Sequence, residues 1–282
     1  MSNDGPCRWN TALIVQLLGI LALSMPGAHG ADPARLLKAA TGVSYTVWAS
    51  GLSEPRGLLL DPKGGMWVAE EEAGTVLKIA EDGKRIIIAK GLARPHDIAA
   101  DARGTLYVAE TGLRRVVTIG PGGEVRTFAE DLKAPVDLAF HPNGELLVCQ
   151  FAGDRVLAFR SPTEQRTFVA GFKSHGLAFD RSGATYINDL TNGRVVKVTA
   201  DGKEAVIAAD VGVAIGVAIG HAGDIYLALR RTGKLLQVRP DGSRRVLLEN
   251  LQAPRDPVID AEGNLYLAET EAGRILKLPG RY

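Results

Sequence analysis

The sequence is poor in cysteine, with only Cys7 and Cys149 in 282 residues. Removal of an N-terminal leader that contains Cys7 would leave Cys149 alone, which excludes an intrachain disulfide. Cys149 follows Leu147-Val148, at a point where other parts of the chain have Val-Ala. That context indicates a small buried side chain and not a nucleophilic thiol.

An excess of charge of either sign is also missing. Lys and Arg number 33 and Asp and Glu number 32, for a net charge of +1. The arginine pairs at 114–115, 230–231 and 244–245 are far apart in the sequence, so they form no basic run. This balance excludes nucleic acid as a partner and favours a small-molecule ligand, with a protein partner as the other option.

A leader-like apolar run lies between Ala12 and Leu23, after Arg8 and before Ala28-His29-Gly30. The run is short for a membrane span, and small residues follow it where a signal peptidase cleaves. We predict a signal peptide over residues 1–30, a periplasmic or secreted protein, and no membrane span after cleavage. An uncleaved anchor is the alternative.

A short helical lead-in is predicted over residues 31–44. Asp32 can cap a helix, and Pro33 suits its first turn. After residue 45 the sequence shows no helical periodicity of useful length.

From residue 45 onwards a single unit recurs at a regular interval. The segment 51–58 returns at 91–98 and at 131–138, and degenerate copies follow. One apolar anchor per unit marks the almost even spacing: Leu52, Leu92, Leu132, Phe172, Val211 and Leu251. Such a period indicates six copies of one supersecondary unit.

Each unit contains four short apolar runs separated by turn residues. In the first unit these runs are 57–60, 66–69, 76–79 and 86–89. Four strands in a repeat of about 40 residues are typical of a propeller blade. We therefore predict an all-β fold over residues 45–282, a six-bladed β-propeller with four-stranded blades. The last unit stops after three strands, so the N-terminal strand 45–49 is predicted to complete it and close the ring.

The repeats differ most where the first strand of each unit begins. We call these positions the channel rim, and they carry Arg56, His96, Val136, His175, Ile215 and Arg255. The opposite end repeats Asp-x-x-Gly turns in most units, which serve geometry. Polar side chains that converge at one end of a propeller predict a small-ligand pocket there.

Chemical roles can be assigned to several of these residues. His96 and His175 are candidate general bases, because an imidazole can accept a proton near neutral pH. Arg56 and Arg255 are candidates for binding a carboxylate or an oxyanion. Asn188, which replaces an alanine of most units, and Ile215 are further candidate substrate contacts.

Carboxylates near the same end admit two interpretations. Glu70, Glu110 and Glu269 end the second strand of three units and are candidate ligands of a divalent cation, Ca²⁺ or Mg²⁺. They could instead pair with arginines of the rim. The aspartates that follow the rim positions, Asp97, Asp137 and Asp256, could instead accept backbone N–H groups at the channel mouth.

The recurring pattern Pro-x-Gly-Leu/Ile, then Asp-x-x-Gly-x-Leu-Tyr-Val-Ala-Glu, then Arg-Val-x-x-Ile resembles the NHL-repeat propellers. More broadly, residues 45–279 resemble the six-bladed superfamily that includes gluconolactonases, strictosidine synthase and virginiamycin B lyase. The resemblance implies a hydrolase or lyase acting on lactone- or ester-type substrates, in some members with a divalent cation. The same fold also serves non-catalytic binding and scaffold modules for proteins or peptides.

The chain departs from both enzymatic patterns. Gluconolactonase-like enzymes bind their cation through Glu, Asn and Asp, whereas the matching rim positions here are Arg, His, Val, Ile and Arg. The segments 95–98 and 174–177 look more like the lyase branch, but its Glu-x-His pair is absent. We expect an exported propeller that binds a small anionic molecule and acts as a hydrolase or lyase. The alternative is a non-catalytic NHL-type propeller.

Overall fold

The computed structural model describes residues 36–280, which form six antiparallel sheets. The first strands of the six sheets contact one another in chain order, and the sixth contacts the first. This arrangement confirms the predicted six-bladed β-propeller. The predicted signal peptide, residues 1–30, lies outside the described residues.

Each blade is a meander in which consecutive strands pair. The strands of blades 1 to 3 are Pro55–Leu60, Met66–Glu70, Thr75–Ile79 and Arg85–Lys90; Pro95–Ala100, Leu106–Glu110, Arg115–Ile119 and Val125–Ala129; and Pro135–Phe140, Leu146–Gln150, Arg155–Ser161 and Glu164–Ala170. Blades 4 to 6 contain Ser174–Phe179, Thr185–Asp189, Arg194–Val198 and Glu204–Ala208; Gly216–Ile219, Ile225–Leu229, Lys234–Val238 and Arg244–Glu249; and Pro254–Ile259, Leu265–Glu269 and Arg274–Leu278.

Helix is almost absent from the described residues. Two single 3₁₀ turns, Thr111–Leu113 and Phe151–Gly153, follow the second strands of blades 2 and 3. Between residues 36 and 280 no helix has the length and apolar character that a membrane crossing needs.

The outer position of blade 6 is occupied by the strand Thr46–Ser50. It pairs antiparallel with Arg274–Leu278, with Thr46 opposite Lys277 and Ser50 opposite Arg274. The sixth blade therefore contains strands from both ends of the propeller. That this strand holds the ring closed is a prediction about stability, which a deletion can test.

The segment before this strand is extended over the described residues. Lys38–Ala39 is a short strand that pairs with Arg244–Glu249, and the Ala40 N–H donates to the Leu247 carbonyl at 2.9 Å. The helical prediction is thus wrong for residues 36–44, while residues 31–35 lie outside the described part. A very short helix gains little, because nucleation is costly, and the free edge of blade 5 offers backbone partners instead.

The core consists of six apolar clusters, which lie mainly between neighbouring blades. Between blades 6 and 1, for example, Tyr266 and Ile275 pack with Leu58 and Val68. Cys149 belongs to another of these clusters and is fully buried, and burial raises the pKa of its thiol well above the ordinary value. An inert thiol agrees with its assignment as a small core residue.

Candidate ligand pocket at the channel rim

The rim side chains leave the sheet because the first strands are irregular where they begin. In four blades a proline starts the strand, and the strand register shifts just after it. Proline has no N–H to donate, and a bulge redirects the following side chain. The residue after the proline is thereby turned towards the propeller axis.

All six rim side chains line one pocket on this axis, together with three aspartates and Gly57. The structure therefore brings together five of the predicted site residues: Arg56, His96, His175, Ile215 and Arg255. The space left among the side chains for the centre of a water molecule is about 10 Å³. That is room for roughly one water, so a larger ligand requires side chains to move.

The two imidazole rings lie side by side, with ring centroids 5.1 Å apart. Nδ1 of His175 is 3.0 Å from the carbonyl oxygen of Ile215, which only accepts, so this Nδ1 carries the hydrogen. His96 also bonds to backbone, that of Val136, and its Nε2 faces guanidinium nitrogens, which only donate, so the hydrogen of His96 is on Nδ1 too. Each Nε2 then presents a lone pair towards the pocket.

Arg255 fills the space between these lone pairs. Its Nη1 lies 3.4 Å from Nε2 of His96 and 3.4 Å from Nε2 of His175. Arg56 approaches the same His96 nitrogen, at 3.3 Å. Because a guanidinium only donates, these contacts require both imidazoles to be neutral.

Arg255 is a buried cation without a salt-bridge partner among residues 36–280. Its exposed fraction is 8%, its Nε has no hydrogen-bond partner, and no carboxylate of residues 36–280 forms a salt bridge with it. Arg56, in contrast, pairs with Glu71. Desolvation, followed by the charges of Arg56 and Arg230, lowers the pKa of Arg255 to about 9. It therefore stays charged at neutral pH.

Both histidines are poor bases in this arrangement. Burial, followed by the charge of Arg255, lowers the pKa of His175 to about 3. Burial, followed by the neighbouring His175 and Arg255, lowers the pKa of His96 well below its ordinary value. An anion beside Arg255 would cancel part of this effect.

Three aspartates form the floor of the pocket. They accept backbone N–H groups, which is the structural role considered for them in the sequence. Asp97 accepts the N–H of Leu138 at 2.9 Å, and Asp256 accepts that of Leu58, in each case on the next blade. Asp137 bonds similarly to the backbone of Leu177.

Burial favours the protonated form of all three floor aspartates. Desolvation raises the pKa of Asp97 to about 7. It raises the pKa values of Asp137 and Asp256 well above their ordinary value, and the neighbouring aspartates add to the effect. A floor that favours protonation is a poor source of counter-charge for Arg255.

Each rim residue is followed by either a glycine or an aspartate, which is the sequence signal for this layer. A Cβ on Gly57 would lie 2.5 Å from both Cα and Oδ1 of Asp97. A larger residue at this position would collide with the backbone of blade 2. Glycine here lets the neighbouring aspartate reach the axis.

Asn188 does not line the pocket, so its assignment as a substrate contact is wrong. Its Oδ1 accepts the N–H groups of His175 at 2.9 Å and Gly176 at 2.7 Å, and its Nδ2 donates to the Ala214 carbonyl at 2.6 Å. The side chain is buried and fully bonded to backbone. It fixes the position of His175 and of the segment whose Ile215 carbonyl orients the ring.

The candidate metal ligands are not brought together. Glu70, Glu110 and Glu269 accept the N–H of Ser53, Ala93 and Gln252, respectively, at 2.8, 2.6 and 2.8 Å. Their second oxygens accept hydrogen bonds from Thr75, Arg115 and Arg274, respectively, each in the same blade as its glutamate. Each carboxylate closes a loop of its own blade, which explains why the residue recurs.

A resident cation therefore has no fitting site in the part of the chain that the structure describes. No group of three His, Cys, Asp or Glu side chains there is placed to hold a metal ion. The three floor aspartates use oxygens on backbone N–H groups and favour protonation, which opposes cation binding.

At the opposite end of the channel the repeats form turns, as predicted. Nδ1 of His141 accepts the N–H of Asn143 at 3.2 Å, so this histidine replaces the turn aspartate of other units. Its Nε2 bonds to the Gly183 carbonyl at 3.0 Å. His141 therefore caps this turn.

No family model and no curated protein sequence matches the chain. Solved propellers do. A gluconolactonase from Xanthomonas campestris has a TM-score of 0.74 at 14% identity, and the match covers 86% of this chain and 91% of the gluconolactonase chain. Regucalcin, a calcium-binding protein from Agrobacterium tumefaciens, has a TM-score of 0.70 at 16% identity, covering 85% and 96%. Virginiamycin B lyase from Staphylococcus aureus has a TM-score of 0.65 at 15% identity, covering 86% and 99%. At such identities the likeness shows the shared propeller fold.

Proposed function

We propose that the protein binds a small anionic molecule at the channel rim and acts on it as a hydrolase or lyase. The observation that carries the proposal is the uncompensated charge of Arg255. Burying a guanidinium without a partner is costly, and an incoming carboxylate would supply both the missing charge and an acceptor for the free Nε. Propellers of similar fold, a gluconolactonase and a virginiamycin B lyase, support the reaction class.

Chemistry at this site would begin with the displacement of Arg255 from the two histidines. An anion that pairs with the guanidinium draws it away from both Nε2 atoms and raises the pKa values of the imidazoles. The freed Nε2 of His96 or His175 then takes a proton, either from a water that attacks an ester or lactone carbonyl or from a substrate carbon. Arg56 lies where it can stabilise an oxyanion. No step uses a metal ion, because the described residues offer no fitting donor set.

A non-catalytic binding propeller is the second candidate. The small free space in the pocket and the low basicity of both histidines favour it. In that case the rim would recognise an acidic group of a protein or peptide, with Arg255 as its anchor.

A pair of arginine variants tests the anion site. In the wild type, sodium propionate is expected to raise the melting temperature above that in sodium chloride of equal ionic strength, and Arg255→Met should abolish the difference. Arg103→Met, which changes an arginine with an 88% exposed side chain, is the matched control. If propionate and other short carboxylates stabilise Arg255→Met as well as the wild type, the anion site lies elsewhere.

Turnover separates the enzyme from the binder. Hydrolysis of γ-butyrolactone and p-nitrophenyl acetate should fall at least about 100-fold in His96→Ala or His175→Ala, the usual size of a lost general base. Turnover no faster than the uncatalysed rate in the wild type, with propionate binding intact, would support the binding propeller instead.

We also propose that the protein is exported and that its mature form begins near Ala31. The supporting observation is the sequence of Arg8, an apolar run and Ala28-x-Gly30. N-terminal sequencing of protein recovered from the periplasm or medium is expected to start at Ala31. A start at Met1 would indicate the uncleaved anchor.

A further inference from the structure

We infer that the ligand of this pocket is a short carboxylate that carries a hydroxyl group for Nε2 of His175, such as a hydroxy-carboxylate of three carbons. The inference rests on the proposed anion site and adds the hydrogen-bond pattern that the rest of the ligand must match. That pattern follows from the fixed tautomers of the two rim histidines.

The two histidines can only accept at the atoms that face the pocket. For His175 the Nδ1–H is occupied by the Ile215 carbonyl of the next blade, and for His96 the Nε2 faces the donor-only guanidinium groups of Arg56 and Arg255. Moving the hydrogen of His175 to Nε2 would place a lone pair of Nδ1 against a carbonyl oxygen, which is repulsive. The Nε2 atoms therefore remain acceptors when a ligand replaces Arg255.

A ligand that displaces Arg255 must replace its donor. At present Nη1 of Arg255 serves both acceptors, at 3.4 Å from each, and Nη1 of Arg56 also lies 3.3 Å from Nε2 of His96. Withdrawal of the Arg255 guanidinium towards a carboxylate therefore leaves His96 with Arg56 and leaves the buried lone pair of His175 without a donor, which is unfavourable unless the ligand satisfies it. One acceptor requires one hydrogen, which a single hydroxyl supplies.

The donor must also be neutral. Arg255 and Arg56 both line the pocket, and their charges would repel an ammonium group. The floor aspartates accept N–H groups of the neighbouring blades and favour the protonated form, so they do not attract one. Hydroxyl groups beside a carboxylate meet both conditions, whereas the α-ammonium of an amino acid does not.

Isothermal titration with propionate, lactate and glycerate tests the inference, because the three anions share a chain length and carry no, one and two hydroxyls. The first hydroxyl is expected to tighten binding about fivefold, the usual effect of one net hydrogen bond, and the second should add little. Alanine, with an ammonium in place of the hydroxyl of lactate, should bind more weakly than propionate. In His175→Phe, which keeps a ring but loses the acceptor, lactate should lose its advantage over propionate.

The outcomes distinguish this inference from the proposed function. Equal binding of propionate, lactate and glycerate to the wild type would overturn the inference and leave the anion site standing. Failure of all three to bind would overturn both. The wild-type series decides the question even if His175→Phe fails to fold, and unchanged ratios in a folded His175→Phe would contradict the role of its Nε2.

Discussion

Blades 2 and 4 hold the two rim histidines in the same ring orientation by different means. In both blades the histidine bonds to the backbone of the rim residue one blade further on, His96 to Val136 and His175, through Nδ1, to Ile215. In both, Nε2 faces the same nitrogen of Arg255. The orientation of each ring is therefore determined by its neighbouring blade and not by its own.

The backbone beneath the two rings is supported differently. In blade 2, Pro95 begins the strand and Glu110 accepts the N–H of Ala93 in the preceding loop. Blade 4 has Ser174 in place of the proline, and its loop is one residue shorter from the apolar anchor to the histidine. There Asn188 bonds directly to the N–H of the histidine. The comparison shows that one functional position can be kept while the local scaffold changes.

Deleting residues 31–50 should lower the stability of the protein more than any of the substitutions that follow, because the positions of both rim histidines depend on a closed ring. The deletion removes the strand paired with Arg274–Leu278 and uncovers the core between blades 6 and 1, where Trp48 and Ala49 pack. We expect a loss on the order of 5 kcal/mol of unfolding free energy, from a few buried side chains at about 1.5–3 kcal/mol each. Urea denaturation of the truncated and mature chains measures it. Equal midpoints and slopes would show that this strand does not hold the ring closed.

Asn188→Ala should disturb the histidine of blade 4 and leave the histidine of blade 2 in place. It leaves the N–H groups of His175 and Gly176 and the Ala214 carbonyl without their side-chain partner, at a cost of about 1–3 kcal/mol per buried group before relaxation. The total should be about 3 kcal/mol once the backbone has relaxed. The imidazole NMR signals of His175 should shift while those of His96 remain.

Cys149→Ala is the matched control, since it changes the equivalent buried position in blade 3. It should cost less, about 1 kcal/mol, and leave both histidine signals in place. Equal shifts of the two histidines in Asn188→Ala would mean that the asparagine supports the whole pocket and not blade 4.

Blades 2 and 4 also differ in the residue after the histidine, which is Asp97 in blade 2 and Gly176 in blade 4. Asp97→Asn tests what the aspartate contributes. The folded-state pKa of Asp97, about 7, lies above its ordinary value, so the folded state binds more protons. The stability that Asp97 contributes is complete below about pH 4 and is lost as pH rises to about 7. The asparagine variant has no such loss and should gain on the wild type across this range, by at most about 4 kcal/mol and less where Asp137 takes up the proton.

Urea denaturation at pH 4 and pH 8 measures this difference in stability between Asp97→Asn and the wild type. Asparagine keeps an acceptor for the Leu138 N–H, so the two proteins should be similar at pH 4. A difference that does not grow with pH would mean that Asp97 is ionised in the folded protein. The floor would then supply Arg255 with a counter-charge and weaken the case for an anionic ligand.

Prediction from the sequence succeeded where the chemistry is local and failed where it depends on neighbours. His96, His175, Arg56 and Arg255 could be placed on one rim because the repeat register shows which positions are equivalent. The role of Asn188 could not, because its partners lie 12 to 26 residues away, partly on another blade. The prediction of the glutamates as metal ligands failed for the same reason. Each glutamate accepts the N–H of a residue 17 positions earlier, and nothing in the sequence distinguishes such a glutamate from one that binds a metal.

The sequence by itself determined the six blades, because the turn residues and short apolar runs of each repeat act within one unit and specify its strands. It also determined which side chains face the channel. Only the tertiary structure decided what they do there. Closing the ring brings Arg255 within hydrogen-bond distance of a histidine 159 residues away and buries both side chains. In that low-dielectric space charge, protonation and tautomer depend on the whole set of neighbours, and these are the basis of the proposed anion site.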